Sequence, residues 1–240
     1  MKIIFVRHGE SENNVISEDK ADVENSRDFE LRRSADPSIT SLGRSQVARA
    51  GERLAQRGLS VERVYCSFLQ RALQSAEILC SFLPSAAIHL DADRFEVGGC
   101  YKLGDASNEF RVVRGITPRE AMARFPGVVI PKEYSDSVDD AWYRGTTKET
   151  WSEGVARAHR VMRWMQGLAL ERPTGAHVVV AHGDFLNALV QIADPTREGK
   201  YFPFANGSLT RFDVDSCGEV RLAFIGEMEF PVDETPPQPN

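Results

Sequence analysis

Long hydrophobic runs are missing from this 240-residue chain. No apolar stretch approaches the roughly 18 residues that a bilayer span requires, and no basic-apolar leader precedes Lys2. The expectation is a soluble, cytoplasmic protein with no membrane partner. Positive charge is also in short supply, with 29 Lys and Arg against 35 Asp and Glu and a formal net charge of -6. That balance argues against a general nucleic-acid partner, because phosphate backbones favour basic faces. It leaves room for a phosphorylated small molecule, since a few local arginines can dominate a pocket. Cysteine is scarce: Cys66, Cys80, Cys100 and Cys217 form no Cys-x-x-Cys pair, so no zinc site is indicated and four free thiols are expected. No carboxylate-histidine cluster has metal-ligand spacing either, so neither a metal nor a cofactor is expected.

What the chain does have is strands alternating with helices. Apolar runs at 2–6, 62–66, 87–90 and 177–181 read as buried strands, and 208–214 and 219–225 read as two more joined by a turn. Helical periodicity covers Gln46 to Arg57, Leu69 to Phe82, Thr150 to Leu170 and Phe185 to Ile192. The alternation predicts an α/β three-layer sandwich, a mainly parallel central sheet with helices on both faces. Two stretches break the pattern. Residues 15–38 are polar and charged and read as a long loop, and 97–149, rich in Gly and Pro around a short amphipathic helix at 117–125, read as a lid-like insertion. The predicted organisation is one domain over 1–230 and a disordered tail over 231–240, which holds four prolines.

Two strand ends carry the chemistry. Ile3-Ile4-Phe5-Val6 delivers Arg7-His8-Gly9-Glu10, and Val178-Val179-Val180-Ala181 delivers His182-Gly183. Two strand-end histidines, each followed by Gly, are hard to explain as packing, and open α/β sheets bind ligands at the carboxyl ends of their strands. Between them lie Asn14, the segment Ile39-Thr40-Ser41-Leu42-Gly43-Arg44-Ser45-Gln46, the segment Ser67-Phe68-Leu69-Gln70-Arg71-Ala72, and Glu96. In order and spacing, these pieces resemble the histidine phosphatase (phosphoglycerate mutase-like) superfamily. The resemblance covers roughly 1–96 and 150–225 and implies a phosphoglycerate mutase-like fold. It also implies His8 as the nucleophile that forms a phosphohistidine, His182 as its assistant, and Glu96 as the acid.

The residue types suit that chemistry. Arg7 and Arg71 can each grip two phosphate oxygens through a planar guanidinium. Asn14 and the backbone N–H at Gly183, where a helix begins, can add neutral donors. Neighbouring positive charge keeps His8 neutral and its lone pair free, while His182 donates to the transferring group. Glu96 can protonate the leaving alkoxide and then activate water; Asp91 and Asp93 compete for that role, and Glu10 is a less favoured rival that orients the loop. Asp184 is expected to cap the helix that follows it. His89, His159 and His177 lack motif context and read as structural.

The expected activity is metal-independent hydrolysis of a phosphate monoester, on a small phosphorylated metabolite or, alternatively, a phosphopeptide. A mutase-type phosphotransferase and a non-catalytic phospho-ligand-binding module are the alternatives. The insertion lacks the paired-arginine stretch of the mutases. All four of Arg7, His8, Arg71 and His182 are present, against the binding module. Trp142-Tyr143-Arg144 reads either as a set that closes over the substrate or as a packing anchor, and Arg32-Arg33 is the other candidate for substrate contact.

Overall fold

Strand β1 (Lys2–Arg7) and strand β6 (Ala176–Ala181) lie side by side and parallel, with Arg7 opposite Ala181. The computed structural model describes residues 1–18, 27–104 and 109–228. Its six-stranded sheet has the order β3-β2-β6-β1-β7-β8. β2 (Val61–Cys66) and β3 (Ala87–Leu90) complete the parallel part, and β7 (Leu209–Val214) and β8 (Val220–Glu227) add an antiparallel edge. The predicted α/β sandwich with a mainly parallel sheet is therefore correct, four strands being parallel and the two at one edge antiparallel.

Alternation along the strands fills two separate cores, because successive side chains point to opposite faces. Ile4, Val6, Val64, Val178 and Val180 pack against Val47 and Leu54 of α3 (Ser41–Gln56) and Leu73 of α4 (Gln70–Phe82). Ile3, Phe5, Val179 and Ala181 pack against Met165 of α6 (Trp151–Glu171) and Phe185 and Leu189 of α7 (Gly183–Ala193). The chain thus leaves the neighbouring strands β1 and β6 toward opposite faces. That divergence opens a crevice at their carboxyl ends, where His8 and His182 emerge.

Residues 15–38 differ from the predicted loop. Helix α1 (Glu12–Glu18) and helix α2 (Arg27–Arg32) lie there, the latter burying Phe29. Helices of two turns or fewer show too few apolar positions to declare a period. The 97–149 segment holds an antiparallel pair, β4 (Tyr101–Leu103) and β5 (Phe110–Val112), then α5 (Pro118–Arg124) behind a Thr117 capping box. The four cysteines are free thiols. No helix among the described residues is long and apolar enough to cross a membrane. The 231–240 tail lies outside the described residues.

Candidate active site

The backbone of β1 continues its pairing for one more residue, with the His8 N–H donating to the Ala181 carbonyl at 3.0 Å. The next turn is tight for a steric reason. A Cβ on Gly9 would lie 2.3 Å from the Gly43 carbonyl oxygen, and one on Gly43 would lie 2.2 Å from that of Glu10. The loop after β1 is therefore pressed against the first turn of α3. Glu10 locks it there, accepting from the Thr40 hydroxyl at 2.6 Å while its own N–H donates to Gln46 Oε1 at 2.9 Å. Glu10 holds the loop and does not line the cavity beyond it.

The buried His8 ring is fixed in one tautomer. Its Nδ1 donates to the Gly9 carbonyl at 2.7 Å, so Nε2 carries the lone pair, which accepts from Arg71 Nε at 3.2 Å. Burial, then the positive charges of Arg71 and Arg7, hold His8 well below the usual histidine range. Arg71 sits in the first turn of α4. Ser75, one turn further on, donates its hydroxyl to the Arg71 carbonyl at 2.7 Å and accepts the Gly9 N–H at 3.2 Å. Arg7 anchors one Nη on the Phe204 carbonyl. The Gly183 Cα faces that guanidinium, since a Cβ there would stand 3.6 Å from Arg7 Cζ. Asn14 Oδ1 accepts from the Ser11 N–H and hydroxyl at 3.0 and 2.9 Å and from Asn206 at 3.3 Å.

His182 is fully buried beside His8, with ring centroids 5.0 Å apart. Its Nε2 lies 3.2 Å from the Ser67 hydroxyl, and Nδ1 has no hydrogen-bond partner. Burial, then Arg71 and His8, depress its basicity strongly. Glu96 occupies the N-terminus of α7. Its Oε1 accepts from the N–H groups of Val97 at 2.9 Å and Phe185 at 3.0 Å, and Oε2 from Asp184 at 3.3 Å. Burial, then the nearby Asp184 carboxylate, push its pKa up to about 7, against the pull of Arg71 and the backbone donors.

A cavity of about 480 Å³ brings Arg7, His8, Asn14, Arg71, Glu96 and Gly183 onto one wall, a size suited to a small ligand. His182 stands behind that wall. The competing carboxylates are elsewhere: Asp91 pairs with Arg94, and Asp93 with Arg160 at 2.6 Å. His89 and His177 flank Tyr65 outside the cavity, and His159 is exposed on α6. Among the described residues, no group of three or more His, Cys, Asp or Glu side chains is placed to hold a metal ion.

Two expectations need correction. Asp184 does not cap α7, because Glu96 takes the first N–H groups; the Asp184 carboxylate instead accepts from the Tyr201 hydroxyl at 3.0 Å. Trp142 and Tyr143 do not reach the cavity around His8. Trp142 is 1% exposed and lies parallel to Phe68 at 5.8 Å, Tyr143 packs edge-on to Phe95 at 5.5 Å, and Arg144 sits over Tyr134. Aromatic area of that size is better buried than held over a wet cleft. From the predicted loop Phe29, Glu30, Arg33 and Pro37 line the cavity, together with Lys148 from the 97–149 segment.

The sequence assigned no individual role to Ser67, Ser75 or Arg157. Arg157 is 1% exposed and pairs with Glu149 through two bonds of 2.9 and 2.6 Å, while its Nη1 donates to the carbonyls of Asp93 and Phe95 at 2.8 Å each. Its place on the apolar face of α6, beside Val161 and Met165, was the available signal.

A family model described as the histidine phosphatase superfamily (branch 1) matches residues 3–99 and 107–225. Solved structures with a similar fold include a mycobacterial glucosyl-3-phosphoglycerate phosphatase, 21% identical, with 93% of this chain and 97% of that chain covered and a TM-score of 0.56. A phosphoglycerate mutase from Bacillus anthracis is 17% identical over 95% and 93% of the two chains, with a TM-score of 0.61. An ecdysone phosphate phosphatase from Bombix mori is 17% identical over 98% and 95%, with a TM-score of 0.62.

Proposed function

The chain belongs to the histidine phosphatase superfamily, and on that premise we propose that it hydrolyses a phosphate monoester, without a metal, through a phosphohistidine on His8. The observation that carries this reading is the His8 tautomer: Nδ1 is committed to the Gly9 carbonyl, so the lone pair sits on Nε2 beside Arg71. In the first step Nε2 bonds to phosphorus, and the bond from phosphorus to the ester oxygen breaks. The leaving alkoxide takes the proton of the Glu96 carboxyl, whose pKa of about 7 keeps a large share protonated near neutrality. In the second step the Glu96 carboxylate takes a proton from water, the oxygen bonds to phosphorus, and the phosphorus–nitrogen bond breaks. Inorganic phosphate leaves, and both groups return to their starting states.

Arg7 and Arg71 neutralise the phosphoryl oxygens throughout, the part a metal would otherwise play. Asn14 and the Gly183 N–H bind further oxygens. His182, held through Nε2 by Ser67, donates from Nδ1 to the transferring group. The natural substrate on this reading is a small phosphorylated metabolite in the cytoplasm.

Rapid quench with a phosphorus-labelled ester should trap an acid-labile, base-stable label on the peptide containing His8. Equal labelling of His8→Ala would overturn the assignment. Prolonged chelation should leave turnover unchanged, whereas Arg71→Ala should lower it by about 10²–10³, the scale of a lost transition-state donor. Activity abolished by chelation and restored by Mg²⁺ would overturn the metal-free reading.

A further inference from the structure

Beyond the residues that face the phosphate, the described residues of the cavity wall carry a second set of charges whose sum is zero. Arg33 and Lys148 supply two positive charges, and Glu30 and Asp184 supply two negative ones. Glu149, also on the wall, is cancelled by its two-bond pairing with the buried Arg157. Glu30 stands between its cations, 3.0 Å from Lys148 Nζ and 3.8 Å from Arg33. Arg33 is itself a built part of the wall. It is 9% exposed, its Nη1 donates to the Tyr101 carbonyl at 3.1 Å, and its guanidinium lies 4.0 Å from the centre of the Tyr101 ring.

We propose that this wall is the leaving-group subsite and that it takes an uncharged, polyhydroxylated alcohol, so that the substrate is a sugar-type monophosphate. The proposal rests on the monoester hydrolysis argued above and adds to it a substrate class.

Charge decides against an anionic leaving group. A second phosphate or a carboxylate would need surplus cations, as Arg7 and Arg71 provide for the first phosphate. Here Arg33 and Lys148 already share Glu30, and Asp184 would repel the newcomer. An added anion would have to displace Glu30 from its cations, and breaking a half-buried pair of this kind costs more than a surface pair returns. The chemistry of the donors decides against an apolar leaving group. Lys148 also lies 4.3 Å from the Tyr101 ring centre, so two cations already occupy that ring. The wall also carries Phe29, Pro37 and Trp151, apolar faces that suit the C–H face of a sugar ring, beside a mixture of N–H donors and carboxylate acceptors. A hydroxyl both donates and accepts and so satisfies either kind, whereas an apolar group would strip water from charges and return nothing.

The test uses the full chain and measures kcat/KM for a hexose monophosphate, a hexose bisphosphate, phosphoglycerate and nitrophenyl phosphate. The hexose monophosphate should exceed the two more anionic esters by tenfold or more. Glu30→Gln and Arg33→Met should each lower the ratio of hexose monophosphate to nitrophenyl phosphate by about tenfold, the scale of one lost hydrogen bond to a charged group. Melting curves check that each variant is folded, and if Arg33→Met is not, Glu30→Gln decides. Preference for the bisphosphate or phosphoglycerate, or an unchanged ratio in the folded variants, would overturn the subsite. No His8-dependent hydrolysis of nitrophenyl phosphate at all would instead overturn the proposed reaction.

Discussion

Glu96 and Asp184 meet at one end of α7, where the Asp184 carboxylate disfavours a second negative charge on Glu96. Burial is the main reason that the Glu96 pKa reaches about 7, and Asp184 is the second. On the proposed mechanism it is the acid form of Glu96 that protonates the alkoxide. On a substrate with a poor leaving group, kcat/KM should therefore fall as pH rises through about 7. Asp184→Asn removes the repulsion and leaves the burial, so that alkaline limb should move to lower pH without reaching the ordinary carboxylate range. Glu96→Gln should abolish the limb and slow poor leaving groups far more than nitrophenyl phosphate. A limb that stays in place in Asp184→Asn would show that the Asp184 charge does not raise the Glu96 pKa. Asp184 also shows how little sequence says about side-chain direction. Its place in the first turn of α7 suits a cap, and only the fold reveals that Glu96, 88 residues earlier in the chain, holds that position.

Among the elements, the contact between the β1 loop and α3 is the most demanding. Helix α3 begins at Ser41, five residues before its apolar periodicity does, because Thr40 caps it by accepting the Gly43 N–H at 3.0 Å. The first turn faces the Gly9-Glu10 backbone, so Gly43 is there for clearance and contributes nothing to an apolar stripe. Gly43→Ala should destabilise the protein by about 1–3 kcal/mol, the usual scale of overpacking, and should lower activity by moving His8. Gly167, one turn before the end of α6, has nothing within 4 Å of a new Cβ, and Gly167→Ala should gain about 0.5–1 kcal/mol from helix propensity alone. Urea titrations of the two variants measure both signs, and a neutral Gly43→Ala would refute the clearance argument. The same contrast explains what was legible. Buried strands announce themselves by short apolar runs, as β6 does, and long helices by a repeated apolar period, as α6 does. The short helices α1 and α2 are fixed by contacts distant in sequence, such as the Tyr101 hydroxyl donating to Glu30 of α2 at 3.3 Å, and carry no period of their own.

At the scale of the whole molecule, the question is what holds residues 97–149 and the segment before Glu96 in register with the sheet. Trp142 supplies apolar anchorage on Phe68 and Phe95. Arg157 supplies the polar lock, joining Glu149 at the end of the insertion to the carbonyls of Asp93 and Phe95, the latter just before Glu96. The motifs of the two strand ends were readable because each clusters within a few residues. This lock was not, because its four parts are spread over 93–157 and meet only in the fold. Removing Arg157 alone leaves Glu149, 10% exposed, as an uncompensated buried charge, so Arg157→Met should cost about 3–5 kcal/mol. Adding Glu149→Leu removes that stranded charge, and the double variant should recover much of the loss, as buried pairs replaced by apolar residues do. Activity should not recover with it, because neither replacement donates to the carbonyls of Asp93 and Phe95, and Glu96 stays poorly held. Denaturant titration and kcat on an ester with a poor leaving group separate the two effects. If stability and turnover recover together in the double variant, Arg157 serves the fold alone and Glu96 is positioned by α7.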